Sequence, residues 1–255
     1  MDKGERIAKR LARAGLCSRR EAERWIEQGR VSVDGEVLKT PAFLVTAASR
    51  ILVDGKPVAG PERTRLWRYH KPRGLVTTEN DPQGRPTIFQ ALPTTLPRVV
   101  KVGRLDLNSE GLMLLTNDGG LARHLELPST GWVRRYRVRV HGAIDQKRLA
   151  SLAKGITIAG IEYGPVEAAL ERSQDSSNTW ITFALREGKN REVRRICEFF
   201  DWQVTRLIRS SYGPFQLGAL ARGAVEEVPG KVLREQLPRE LIAHASDRPP
   251  NVGRG

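Results

Sequence analysis

Asp106 stands in the loop Gly103-Arg104-Leu105-Asp106-Leu107-Asn108-Ser109-Glu110-Gly111, just ahead of the continuous apolar run Leu112-Met113-Leu114-Leu115. A carboxylate in a glycine-bearing loop that feeds a core strand is well placed to face a cleft and act there. The plainer readings are a turn residue or a salt-bridge partner. Glu110 follows four residues later, so a paired-carboxylate glycosidase site is a rival reading. Nothing else in the chain supports saccharide chemistry, and Glu110, next to Gly111, reads as the end of a turn. Asn117-Asp118-Gly119-Gly120 also reads as a turn.

Other chemistries lack their residues. Cys17 and Cys197 are the only cysteines and lie far apart, so a disulfide scaffold or a thiolate zinc site is not expected. His70, His124, His141 and His244 have no histidine partner at metal-ligand spacing. No glycine-rich phosphate loop opens a helix, so neither a metal nor a nucleotide cofactor is expected.

The chain has 255 residues, of which 39% are hydrophobic and 28% charged, enough apolar material for a core. Lys and Arg total 43 against 29 Asp and Glu, a net charge of +14 that attracts polyanions, nucleic acid above all. No apolar run reaches the ~18 residues of a membrane span, and the start MDKGERIAKR has no signal-peptide core. A soluble, cytoplasmic protein is the expectation.

The elements that must position Asp106 can be read from periodicity. In 3–14, Ile7, Leu11 and Ala14 recur on one helical face, and Gly15 ends that helix. Ser18-Arg19-Arg20-Glu21 reads as a capping box opening a second helix, with Ala22, Trp25 and Ile26 inward and Arg19, Arg20 and Arg24 outward. Val31-Ser32-Val33-Asp34-Gly35 reads as a tight hairpin returning through Val37. Gly60-Pro61-Glu62-Arg63-Thr64 has the composition of a linker. Beyond it, 112–116 reads as a buried strand. In 135–140 Tyr136, Val138 and Val140 share one strand face, and Arg135, Arg137 and Arg139 the other. Strands are expected over 179–185 and 204–209. A helix over 191–200 turns Val193, Ile196, Cys197 and Phe200 to the core, and SDRPPNVGRG reads as a mobile tail.

A short helix pair and hairpin carrying Arg19, Arg20, Arg24 and Arg30 can lay cations along a phosphate backbone; the alternative is a solvated helix face. The stretch GLCSRREAERWIEQGRVSVDGEVL resembles the S-four RNA-binding family over about the first 60 residues. That resemblance implies docking on folded RNA by shape and phosphate contacts.

GRLDLNSEGLMLLTNDG resembles the signature of the RsuA/RluB-type ribosomal RNA pseudouridine synthases. Further segments follow in family order: Lys71-Pro72-Arg73-Gly74, Arg135-Tyr136-Arg137-Val138, Glu187 through Arg195, and Leu207-Ile208-Arg209-Ser210-Ser211-Tyr212-Gly213-Pro214-Phe215. The resemblance implies that Asp106 is the catalytic aspartate, that Tyr136 stands beside the target uracil, and that Arg194 pairs with the aspartate. It implies that Leu207 packs under the base or against the tyrosine and that Lys71 and Pro72 brace the site. Leu207, Arg104 and Lys71 are assigned to the substrate side, with Arg19, Arg20, Arg24 and Arg30 on the RNA. Two departures from the family pattern stand out: Arg134-Arg135 where Lys-Thr is frequent, and His70 where Asn is frequent.

The implied fold is α+β: an RNA-binding domain over 1–60, a linker over 61–66, a catalytic domain over 67–240 on a mixed, largely antiparallel sheet, and a tail over 241–255. The implied reaction isomerises a uridine of large-subunit ribosomal RNA, with small-subunit RNA as the near alternative. A non-catalytic ribosome assembly factor on the same scaffold is the rival from another class. A cofactor-free monomer is expected. The base must flip out of its stack, and an aromatic ring with a hydroxyl suits both stacking and proton removal.

Overall fold

The computed structural model describes residues 4–60, 62–142, 144–171 and 178–242. The expected tail falls outside the described residues from position 243 on, as does Pro61 of the expected linker.

The N-terminal module comprises β1 (Glu5–Arg6), α1 (Ile7–Arg13), α2 (Arg19–Glu27), β2 (Val31–Val33), β3 (Glu36–Val37), β4 (Leu44–Val45), β5 (Ile51–Val53) and β6 (Lys56–Pro57). Ile7, Leu11, Ala22, Ile26, Val31, Val33, Val45 and Ile51 close one core. The expected hairpin is half of a four-stranded sheet ordered β3-β2-β5-β6. The first helix is shorter than its periodicity suggests, because Glu5 and Arg6 pair with Val45 and Leu44 instead. Ser18 caps α2 through the Glu21 amide at 3.1 Å. The reciprocal half of the capping box is missing: Glu21 accepts from Trp25 Nε1 at 3.1 Å and pairs with Arg24.

The larger part continues with β7 (Leu66–Lys71), α3 (Ile88–Ala91), β8 (Val100–Val102), β9 (Glu110–Thr116), α4 (Gly119–Glu126), β10 (Arg134–His141), α5 (Gln146–Ser151), β11 (Ile156–Ile158), β12 (Ile161–Tyr163), β13 (Glu167–Leu170) and β14 (Asn178–Leu185). It ends with α6 (Glu192–Phe199), β15 (Gln203–Tyr212), β16 (Phe215–Gln216), β17 (Val225–Glu227) and α7 (Gly230–Gln236). The main sheet runs β13-β14-β10-β15-β9-β7-β17, with β8 on β9 and β16 on β15. Every pairing in it is antiparallel except β15 with β9, where Ile208 faces Glu110 and Arg209 faces Gly111. The α+β expectation of a mixed, largely antiparallel sheet holds.

That parallel contact is the seam between two half-sheets, each with its own core. One core gathers Val138, Ile181, Phe183, Ile196 and Leu207; the other gathers Leu66, Leu112, Leu114, Leu121 and Tyr212. The backbones approach so closely at the seam that a Cβ on Gly111 would lie 2.4 Å from the Arg209 carbonyl oxygen, and Gly111 has φ +107°. Only glycine fits.

Asn117-Asp118-Gly119-Gly120 is a helix start rather than a simple turn. Asp118 caps α4, accepting from the Gly120 and Leu121 amides at 2.7 and 3.4 Å, a cap typically contributing ~1 kcal/mol. The paired glycines hide a helix whose signal is Leu121, Ala122 and Leu125 on one buried face.

Candidate active site

Asp106 sits where the seam opens. The loop from Gly103 to Ser109 leaves β8, turns at Asp106 through a Ser109 N–H to Asp106 carbonyl bond of 3.0 Å, and enters β9 at the parallel contact. Lys71, at the end of β7, is completely buried, and its ammonium donates to three carbonyls: Pro72 at 3.0 Å, Asp106 at 3.1 Å and Ser109 at 2.9 Å. Gly74 N–H donates to the Leu107 carbonyl at 2.8 Å. The Lys71-to-Gly74 segment therefore splints the aspartate loop through its backbone, and Lys71 does not line the cavity beside it. Burial pushes the Lys71 ammonium down to about 8, against the opposing pull of Asp106 and Glu110.

The Asp106 side chain lines a cavity of about 390 Å3, within the ~300–1,000 Å3 range of ligand pockets. Two guanidiniums reach the same carboxylate oxygen, Oδ2: Arg194 Nε at 3.8 Å and Arg191 Nη1 at 3.8 Å. Arg194 is also tied to the loop, donating from Nη2 to the Asn108 carbonyl at 2.9 Å. Burial and the adjacent Arg191 pull the Arg194 pKa down, while Asp106 holds it up. The pairing read for Arg194 is present, and Arg191 is a second cation that sequence reasoning passed over. Arg191 caps α6 with φ +52°. This left-handed conformation costs a non-glycine residue ~1–2 kcal/mol and often accompanies function. Its neighbour Glu192 turns back to accept the Lys189 amide at 2.9 Å. Burial, with Glu187 close by, pushes the Glu192 carboxyl up to about 7.

Tyr136 and Leu207 line the cavity with Asp106. In the register of β10 and β15, Tyr136 faces Arg209 and Val138 faces Leu207, so Leu207 is the diagonal neighbour of Tyr136 on one face. Leu207 is 4% exposed, and Tyr136 packs against two of the cores while remaining partly open. A register shift between Arg135 and Tyr136 leaves Ser210 unpaired. This bulge puts Tyr212 on the same face as Arg209, which period-two alternation forbids. Arg134 and Arg209 then stack on the Tyr212 ring at 4.7 and 5.1 Å. Arg134 also donates to the Tyr212 hydroxyl at 2.9 Å, and that hydroxyl to the Leu125 carbonyl at 2.7 Å. Arg209 ties the wall to the floor by donating to the Leu112 carbonyl at 2.7 Å and the Arg104 carbonyl at 3.4 Å. From sequence Arg134 stands only as a departure from the family pattern and Arg209 only within a matched segment, and neither is assigned a role in the site, since the bulge that recruits them has no local signature. Arg104 lines the cavity with an exposed side chain.

Glu110 is not the second carboxylate of a glycosidase. It opens β9 rather than ending a turn, is 1% exposed, and is absent from the cavity lining. Burial alone would raise its pKa, but Arg206 at 2.5 Å and Arg222 at 3.2 Å outweigh burial and hold it below the usual carboxylate range. A retaining or inverting glycosidase needs an acid with a raised pKa. Among the described residues no group of three or more His, Cys, Asp and Glu is arranged to hold a metal. No helix among them is long and apolar enough to cross a membrane.

The N-terminal arginines divide. Arg19 and Arg20 are exposed, and neither has an ion pair among the described residues. Arg24 is held by Glu21. Arg30 is held by Asp54 at 2.9 and 2.6 Å and lies 4.8 Å over the Trp25 ring.

Two family models match the chain: an S4 domain over residues 5–51, and RNA pseudouridylate synthase over residues 65–199. An uncharacterized RNA pseudouridine synthase of Rickettsia felis is 48% identical over 231 residues, covering 91% of this chain and all of its own. The ribosomal large subunit pseudouridine synthase B of Yersinia pestis is 44% identical over 248 residues, covering 94% of this chain and 76% of its own. A crystal structure of a pseudouridylate synthase superposes with a TM-score of 0.62 at 25% identity, covering 91% of this chain and 99% of that one.

Proposed function

This chain belongs to the RNA pseudouridylate synthase family, and we propose that it isomerises a uridine of large-subunit ribosomal RNA, with Asp106 as the carboxylate that opens the glycosidic bond. The large-subunit assignment is supported by relatives bearing that name at 44% identity. The observation that carries the site assignment is the Asp106 carboxylate lining a cavity with two guanidiniums on its Oδ2 and with Tyr136 and Leu207 in the same lining.

The chemistry is an exchange of bonds within one nucleotide. The bond from the sugar to N1 breaks, the freed uracil turns, carbon-5 bonds to the sugar, the carbon-5 proton leaves, and N1 takes up a proton, so the atoms balance. Nothing is oxidised or reduced. A carboxylate opens the first bond by attacking the sugar or by taking a sugar proton in an elimination. Both routes need the Asp106 carboxylate aimed at the sugar, and Arg194 and Arg191, each 3.8 Å from Oδ2, hold its orientation. The uracil reaches the cavity only after flipping out of its stack. Tyr136 offers it a ring face and a hydroxyl suited to helping remove the carbon-5 proton. Leu207 excludes water beneath it.

The N-terminal 1–60 region serves as the RNA-binding domain, 67–240 as the catalytic domain, and 61–66 as the join. We read the protein as a monomer, and a ribosomal RNA substrate supports the cytoplasm. The reading is tested by mapping pseudouridines in ribosomal RNA from cells with and without the protein. Loss of one large-subunit position supports it. An unchanged map in both subunits overturns it, and loss in the small subunit moves the substrate.

A further inference from the structure

A separate concavity, of about 210 Å3, opens between the N-terminal module and the large sheet. Lys9 and Arg13 of α1, Arg19 of α2, and Arg98 just before β8 surround it, with Glu79 opposite and Gly119 of α4 at its floor. The carboxylates nearby are already shared. Glu5 serves Lys9, Arg10 and Arg13 at 3.5, 3.6 and 3.7 Å. Asp118 lies 3.6 Å from Arg13 but also caps α4 and accepts from the Thr64 hydroxyl at 3.0 Å. Glu79 is 3.7 Å from Arg98. At these separations the cations are charge neighbours rather than tightly hydrogen-bonded partners. Four cations therefore line the cleft against one lining carboxylate, Glu79, at a place where two modules meet.

We propose that this cleft seats the phosphate backbone of the RNA substrate, so that one RNA bridges the two modules beside the catalytic cavity. The proposal rests on RNA being the partner. Helix α4 runs from the cleft, which its Gly119 and Gly120 line, to the catalytic cavity, which its Glu126 lines. Its eight residues span about 12 Å, about three or four stacked nucleotides. A strand that delivers a flipped uridine to Asp106 thus passes the cleft within a few nucleotides. Arg forks suit phosphate oxygens. Among the described residues no aromatic ring lines the cleft, so the contact positions the RNA without reading its bases.

Full-length wild type, Arg98→Gln, Glu79→Gln and the remote control Arg148→Gln are titrated with a labelled RNA hairpin bearing unpaired loop uridines, over a range of salt. Losing one phosphate contact should weaken Arg98→Gln about fivefold near physiological salt and flatten its log–log salt slope by about 0.7–0.9. Removing the competing carboxylate in Glu79→Gln should tighten binding, and Arg148→Gln should match wild type. In turnover assays KM should rise in Arg98→Gln while kcat holds. If Arg98→Gln melts early, exposed Arg19→Gln replaces it. Wild-type affinity and slope in both Arg98→Gln and Glu79→Gln overturn the cleft and leave the function standing. Absence of RNA binding by wild type overturns the functional reading itself.

Discussion

Replacing Asp106 by Asn keeps the side chain's volume and removes its charge, so it isolates chemistry from packing. An amide neither attacks the sugar nor takes its proton at a useful rate. Asp106→Asn should bind RNA within about tenfold of wild type, a tolerance of ~1.4 kcal/mol, and form no detectable pseudouridine. Product formed by the purified variant would end the assignment. Arg194 acts on the same oxygen from 3.8 Å and holds the Asn108 carbonyl. Arg194→Ala should therefore lower kcat by about a hundredfold or more through lost orientation, with RNA affinity changed far less. An equal fall in both would make it a phosphate ligand. Arg191 approaches Asp106 as closely but is more exposed, so its removal should cost less than that of Arg194.

At the scale of elements, the aspartate loop is set by two devices, a splint and a seam. The splint is Lys71, whose three donors meet three carbonyls. With its pKa near 8, deprotonation leaves two donors for three acceptors, so kcat should fall as pH passes about 8. Stability follows the opposite sign. Between about 8 and the ordinary lysine value of 10.5 the unfolded chain holds the proton that the folded chain has released, so this group's contribution to stability rises with pH. A kcat–pH profile alongside melting curves should separate the two trends, and a flat profile through pH 9 would remove Lys71 from the loop's control. The seam depends on Gly111, where any Cβ meets the Arg209 backbone at 2.4 to 3.0 Å. Gly111→Ala should destabilise the fold by about 3 kcal/mol or more, seen in denaturant unfolding. A loss under 1 kcal/mol would mean that the half-sheets can part without cost.

Across the whole molecule, the net charge of +14 supplies attraction to RNA, and its distribution decides where RNA lies. On the N-terminal module Arg19 and Arg20 are open, whereas Arg24 and Arg30 are held by Glu21 and Asp54. The double variant Arg19→Gln with Arg20→Gln should flatten the salt dependence of RNA binding by about 1.4–1.8. An unchanged slope would show that this helix faces away from the RNA. Arg24→Gln should change the slope less, because its charge is already partnered.

Read along the chain alone, the residue types that meet are already visible: one aspartate in a glycine-bearing loop, a tyrosine on an alternating strand, a basic helix entry, and a basic helical module in front. These were legible because helix and strand periodicities, caps and ordered segments are local properties of the chain. Helix α4 escaped because two glycines after its cap look like a turn, and the short first helix because residues 5 and 6 find a strand partner at 44 and 45. Packing, not local pattern, decided that Glu110 turns toward Arg206 and Arg222, and that Lys71 holds the loop by its carbonyls. It also decided that a bulge at Ser210 brings Arg209 and Tyr212 to one face, and that Arg191 joins Arg194 at the carboxylate. Each of these depends on contacts between residues tens of positions apart. No periodicity encodes such contacts, because they are set by how closely two separate backbones can pack.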